Sequence, residues 1–299
     1  MRKTSFILLF SVCLSLCGCA TVYNPATERK ELIFITTPAE VSIGKTMSVN
    51  VANQFKLSKD PEQIGRVTSI GGKLANVSDR KDLKYIFNVV EEKELNAFTT
   101  PGGYVYINSG LIEKTTDDEL ACVIGHEIGH VAAKHVAKKL QAQLGYDILM
   151  NIALRKSGIS ELQRAASLGF DLVLRGYSRE DELLADRLGS KYAYKAGYDP
   201  YAMISFLKKI ADSGEGGLGF IFLRSHPYTS QRIKMLEKQI PEIINKADKK
   251  NTAKIASVGA NAADDGTGEK RPLKVMCPVC RKIFPGETLY CPYDGTKLE

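Results

Sequence analysis

Apolar residues first take up a regular spacing near residue 41, where a helical pattern runs to Phe55. A second helix is signalled from Asp60-Pro61 to about Val77. YIFNVV over residues 85–90 is short and almost continuously apolar, which predicts a strand. Residues 95–112, LNAFTTPGGYVYINSGLI, alternate on either side of Pro101-Gly102-Gly103 and predict a hairpin whose second strand carries Tyr104, Tyr106 and Asn108. The best-signalled helix covers residues 117–139. Leu120, Val123, Ile124, Ile128, Val131 and Leu140 are spaced to bury a wide stripe. Thr116 and Glu119 make a capping box, Asp117 and Asp118 add negative charge at the positive end of the dipole, and Lys134, Lys138 and Lys139 answer at the other. Two further helical stretches, with apolar runs at 148–154 and 168–174, meet at Ser157-Gly158 and predict packed core helices rather than a membrane-facing flap. An acid-rich helix follows over 177–195, ended by Gly197 before Asp199-Pro200. The pattern predicts a mainly helical α+β domain over residues 41–245 with a small antiparallel sheet.

Both ends of the chain depart from this pattern. Residues 1–20 have a basic start, an apolar run from Phe6 to Leu16, and Cys17-Gly18-Cys19, the layout of a secretion signal. The run is too short to span a membrane, which takes about 20 residues. Leu16-Cys17-Gly18-Cys19 resembles the bacterial lipobox, so residues 1–18 read as a cleaved leader and Cys19 as the lipid-modified first residue. Residues 19–40 then read as a polar tether. Ala20 rather than Asp after Cys19 favours the outer membrane by resemblance to bacterial sorting patterns. Residues 246–274, rich in Lys, Ala, Asp, Gly and Asn with no apolar period, read as a flexible linker. Residues 275–299 carry Cys277-xx-Cys280 and Cys291-xx-Asp294, a zinc-ribbon spacing with Asp294 where a fourth cysteine usually stands. So short a module cannot bury enough to fold alone, and a second, structural zinc held by Cys277, Cys280 and Cys291 is its expected organiser, in preference to a disulfide. Of the seven cysteines, Cys122 remains and reads as core.

Charge narrows the function only by exclusion. Removing Arg2 and Lys3 from the 41 basic residues leaves 39 against 34 acidic, a charge of +5, and the basic residues are scattered, so nucleic acid is not indicated. The chemistry lies in HEIGH, at the centre of the best-signalled helix. His126 and His130 are four residues apart and stack on one face, so both imidazoles can reach one metal ion. Glu127 lies about 100° further round, beside the ion, where it can take a proton from water activated there. His135, about 180° from His126, reads as a surface histidine. In YSREDELLADRLGSKYAYK, Glu182 and Asp186 share a face. Glu182 can complete a His-His-Glu ligand set while Asp186 orients a ligand histidine from behind.

Four separated segments now resemble one family. Asn96-Ala97-Phe98 with Pro101-Gly102-Gly103, His126-Glu127-xx-His130, Ser178-Arg179-xx-Glu182-xxx-Asp186 and Ser225-His226-Pro227 look like the zinc metallopeptidases that include HtpX, the CAAX prenyl endopeptidase and periplasmic BepA. The resemblance covers residues 41–240. It implies a zincin-like fold, a catalytic zinc on His126, His130 and Glu182, Glu127 as general base, and hydrolysis of peptide bonds in protein or peptide substrates. It further implies that the loop bearing His226 approaches the zinc, either as a reversible latch or as a group that assists catalysis, with Arg232 nearby. Misfolded or stalled proteins of the bacterial envelope are the expected substrates. The hairpin at 95–112 would offer an edge to an extended peptide. The competing expectation is a non-proteolytic assembly factor with a structural or latched zinc, against which the intact Glu127 argues.

Overall fold

The computed structural model describes residues 21–153, 158–212, 220–261, 274–276 and 283–285. The chain divides into two compact units, Met1–Ile243 and Ile244–Glu299. In the first, β1 (Thr21–Asn24) and β2 (Arg29–Leu32) form an antiparallel hairpin. The helices α1 (Thr37–Gln54) and α2 (Pro61–Val77) follow. Asp60 caps α2, its side chain accepting from the Glu62 and Gln63 amides, and Pro61 occupies the first turn, where no amide is missed.

A three-stranded sheet comes next, built from β3 (Ile86–Val90), β4 (Ala97–Thr100) and β5 (Tyr104–Asn108), in the order β3-β5-β4. A turn over Pro101–Gly103 joins β4 to β5, and Gly102 and Gly103 take positive φ there (79° and 92°), the region glycine enters without strain. β4 and β5 are antiparallel, but β3 runs parallel to β5. The sheet is therefore mixed rather than antiparallel. The hairpin sets β5 between its two neighbours, and the chain leaving β3 crosses to the far side through β4.

The helices α3 (Ser109–Lys114), α4 (Asp117–Ala132), α5 (His135–Gln143), α6 (Tyr146–Ala153), α7 (Ile159–Leu174), α8 (Arg179–Lys195), α9 (Ala202–Asp212), α10 (Phe220–Ser225) and α11 (Thr229–Asn261) complete the chain as far as Asn261. Every residue of α4 from Glu119 to Ala132 is buried. A second apolar cluster joins α1 (Ile43, Met47, Val51) to Phe98 and Tyr106 of the sheet, Val136 and Leu140 of α5, and Phe170 and Val173 of α7.

Three segments differ from what the sequence pattern predicts. The single helix expected over 117–139 is broken at Lys134, whose φ is 59°. Its ammonium reaches Glu40 at 2.7 Å, and Glu40 also pairs with Arg80 at 3.1 Å, a buried ionic cluster that offsets the backbone strain. The expected tether is packed against the domain. The Phe34 amide donates to Gln141 at 2.7 Å, Lys138 pairs with Glu31 at 2.5 Å, and Ile35 is fully buried, contacts that a polar composition does not reveal. The expected linker is helical to Asn261, because Lys and Ala are strong helix formers even where no apolar stripe exists. In the second unit, β6 (Lys274–Met276) and β7 (Ile283–Pro285) pair antiparallel, with Val275 opposite Phe284. The leader, Cys19, Cys277, Cys280, Cys291 and Asp294 lie outside the described residues. No helix among the described residues is long and apolar enough to cross a membrane.

Candidate metal centre

Three elements converge on one buried point. From α4 come His126, Glu127 and His130, from α8 Glu182 and Asp186, and from the turn after α10 His226, whose amide donates to the Phe222 carbonyl at 2.7 Å. Both ligand-bearing helices start at a fixed place, because Thr116 with Glu119, and Ser178 with Asp181, form capping boxes. Close approach of α4 and α8 requires glycine. A Cβ on Gly189 would lie 2.7 Å from the His126 amide nitrogen, and one on Gly129 would lie 2.9 Å from the Ala185 carbonyl oxygen.

The ligand atoms of His126, His130, Glu182 and His226 all lie within 4.8 Å of one another, and all four residues are buried. His126 Nε2 is 3.0 Å from His130 Nε2 and 3.3 Å from His226 Nδ1. Glu182 Oε1 is 3.1 Å from His226 Nδ1 and 3.5 Å from His130 Nε2, and its Oε2 is 3.6 Å from His126 Nε2. Donors at about 2.0–2.1 Å from a tetrahedral zinc stand roughly 3.3 Å apart. The observed separations bracket that spacing, and two imidazole lone pairs with a carboxylate turned to one point fit a divalent cation of borderline softness.

Behind the donors, His126 Nδ1–H donates to Asp186 Oδ1 at 2.8 Å. Arg232 of α11 holds Asp186 through Nε at 2.8 Å and Nη2 at 2.7 Å, and its Nη1 reaches Glu182 Oε2 at 2.9 Å and donates to the His226 carbonyl at 3.1 Å. One fully buried guanidinium thus ties together Glu182, Asp186 and the histidine loop. Burial opposes the charge on Glu182, yet His226 and Arg232 hold its carboxyl well below the usual range. Tyr177 stacks on His130 with ring centroids 3.8 Å apart.

Glu127 differs from the other carboxylates. Both of its oxygens are buried without a hydrogen-bond partner, and His226 Nε2 stands 3.5 Å from Oε1. Burial pushes its carboxyl above the ordinary range, against the pull of His226 and His126. An acid so placed can take up a proton at neutral pH more readily than an exposed one.

The sequence profile of peptidase family M48 matches residues 61–240, which is more than half of the chain. The chain belongs to peptidase family M48. It is 32% identical to the metalloprotease LoiP of Escherichia coli strain K12 over 174 residues, 57% of this chain and 68% of that protein. It is 30% identical to the mitochondrial metalloendopeptidase OMA1 of Schizosaccharomyces pombe, over 59% of this chain and 52% of that protein. It is also 30% identical to the beta-barrel assembly-enhancing protease of Yersinia pestis, over 63% of this chain and 42% of that protein. The chain thus spans about half the length of several of the relatives that it matches.

Two residues of this M48 domain come to the centre against or beyond the sequence reading, Tyr177 because it was not singled out and His135 because it was placed on the surface. Tyr177 precedes the cap of the ligand-bearing helix α8, and its aromatic character just before Ser178 was the available signal. His135 is not a surface histidine. It is buried, its Nδ1 is 2.8 Å from His130 Nδ1, and its Nε2 is 3.3 Å from Asp181 Oδ1. The break at Lys134 turns it back under His130, so the helical geometry that placed it on the far side does not apply.

Proposed function

We propose that this chain is a zinc-dependent endopeptidase that hydrolyses peptide bonds in misfolded or stalled proteins of a bacterial envelope. The observation that carries the reading is the buried carboxylate of Glu127, held by no hydrogen bond beside the donor cluster, since a site that only held the fold together would have no use for it. His126, His130 and Glu182 would hold the ion, which when bound supplies an electrophile for the scissile carbonyl and lowers the pKa of water. Glu127 would receive the proton released from water and hand it to the departing amine. Asp186 and Arg232 keep His126 and Glu182 oriented throughout. The names of the relatives, a metalloprotease and a beta-barrel assembly-enhancing protease, support both the chemistry and the envelope setting.

His226 is proposed as a latch that occupies the donor cluster at rest and withdraws when a peptide enters. This is supported by its Nδ1 facing His126 and Glu182 within 3.3 Å, and by its Nε2 lying 3.4 Å from the Ala97 carbonyl of β4. The lipid on Cys19, an outer-membrane position and a second zinc on Cys277, Cys280 and Cys291 complete the proposal. The principal test is casein hydrolysis by the purified protein before and after chelation, alongside Glu127→Gln. That variant should bind zinc and fold as the parent does while losing hydrolysis. Undiminished activity in Glu127→Gln would reject the mechanism.

A further inference from the structure

We propose that His135, backed by Asp181, is a positioning residue that fixes the ring and tautomer of His130 and so sets the metal affinity of the centre. The inference rests on the reading that an ion is held by His126, His130 and Glu182. His130 Nε2 is the atom turned toward the donor cluster and must be unprotonated to ligate, which leaves the ring proton on Nδ1. The atom facing that proton is His135 Nδ1 at 2.8 Å, so His135 accepts there and carries its own proton on Nε2. Nε2–H then faces Asp181 Oδ1 at 3.3 Å, and the chain of protons ends on a carboxylate. Each ring nitrogen in the series has one role, and none can exchange roles without leaving a buried nitrogen facing another of the same kind.

The two ligand histidines are therefore supported differently. His126 donates directly to Asp186, whose charge is balanced by the two contacts from Arg232. Among the described residues no Arg or Lys pairs with His130 or His135, and a carboxylate set directly against His130 would be a further buried negative charge near Glu127 and Glu182. An imidazole between His130 and Asp181 supplies the acceptor and keeps that charge one ring away, on a residue whose side chain is 28% exposed.

The backbone supports the same assignment. On a continuous helix, position 135 falls about 140° round from position 130 and the two rings cannot meet. The left-handed conformation of Lys134, sparsely populated for any residue with a Cβ, restarts the helix at His135 and brings the ring beneath His130.

The test uses the full chain loaded with zinc or with cobalt(II), comparing the parent with His135→Asn, His135→Leu and His135→Gln. Asn can place an acceptor oxygen near the Nδ1 position. Leu keeps bulk without an acceptor, and Gln stays polar but sets its amide out at the Nε2 position. Zinc affinity by competition with a chromophoric chelator should fall about 10- to 100-fold in His135→Leu and His135→Gln, with most of the loss restored in His135→Asn. The cobalt d–d bands of the His/Glu site, which are distinct from thiolate bands of the C-terminal cysteines, should shift in the first two only. Should His135→Leu fail to fold by circular dichroism, His135→Gln carries the comparison. Affinity equal to the parent in Leu and Gln, or an equal loss in Asn, overturns the inference. A parent without d–d bands from a His/Glu site removes the metal reading and the inference with it.

Discussion

Within the centre, the histidine turn and Glu127 share the same small volume, and His226 Nε2 stands only 3.5 Å from Glu127 Oε1. A latch and an oxyanion donor would both sit there, but they differ in what their loss does. With His226 as a latch, His226→Ala should raise basal casein hydrolysis severalfold and leave zinc bound by the proposed ligands His126, His130 and Glu182. A fall in turnover of roughly 10²–10³ with unchanged metal content would instead mark His226 as a group that stabilises the developing oxyanion. The residue types and spacing of His126, Glu127 and His130 could be read from five consecutive positions, because a helix turns their sequence separation into a known angular separation. His135 could not be read that way. Its place depends on a single non-glycine residue entering the left-handed region, and that conformation is stabilised by Glu40, distant in sequence.

For the helices, the decisive contact is α4 against α8, where glycines let the backbones approach until no room remains for a methyl group. Gly189→Ala would put a Cβ 2.7 Å from the His126 amide nitrogen, a backbone atom that cannot swing aside. The variant should lose about 1–3 kcal/mol of stability by urea denaturation. Because the displaced residue is a proposed ligand, zinc affinity should fall with it. Normal affinity together with normal stability would show that the helices separate without cost to the site. The caps at Asp60 and Thr116 and the turn over Pro101–Gly103 were legible because their hydrogen bonds are local. The parallel pairing of β3 with β5 was not, since strand direction is decided by which neighbour the hairpin leaves open.

For the molecule as a whole, the chain joins an M48 domain to a second unit in whose sequence Cys277 and Cys280 fall between β6 and β7 and Cys291 follows β7. Deleting the residues after Lys270 should remove one equivalent of zinc and leave casein hydrolysis by the first unit in place. Equal zinc in both proteins would favour a disulfide or no site. Cys19→Ala should move the protein to the aqueous fraction on cell fractionation with its specific activity unchanged, and persistent membrane association would sink the lipid anchor. Sequence by itself determined the helical α+β class, the helix starts at Pro61 and Asp117, the hairpin turn and the chemistry of the His-Glu pattern, all set by spacing, caps and hydrogen bonds within a few residues. Tertiary structure alone decided that residues 21–35 pack on the domain, that Arg232 bridges Glu182 and Asp186 to the histidine turn, and that His135 lies under His130. These depend on burial and on charges brought together across dozens of residues, and a one-dimensional pattern holds no record of which charges will be buried together.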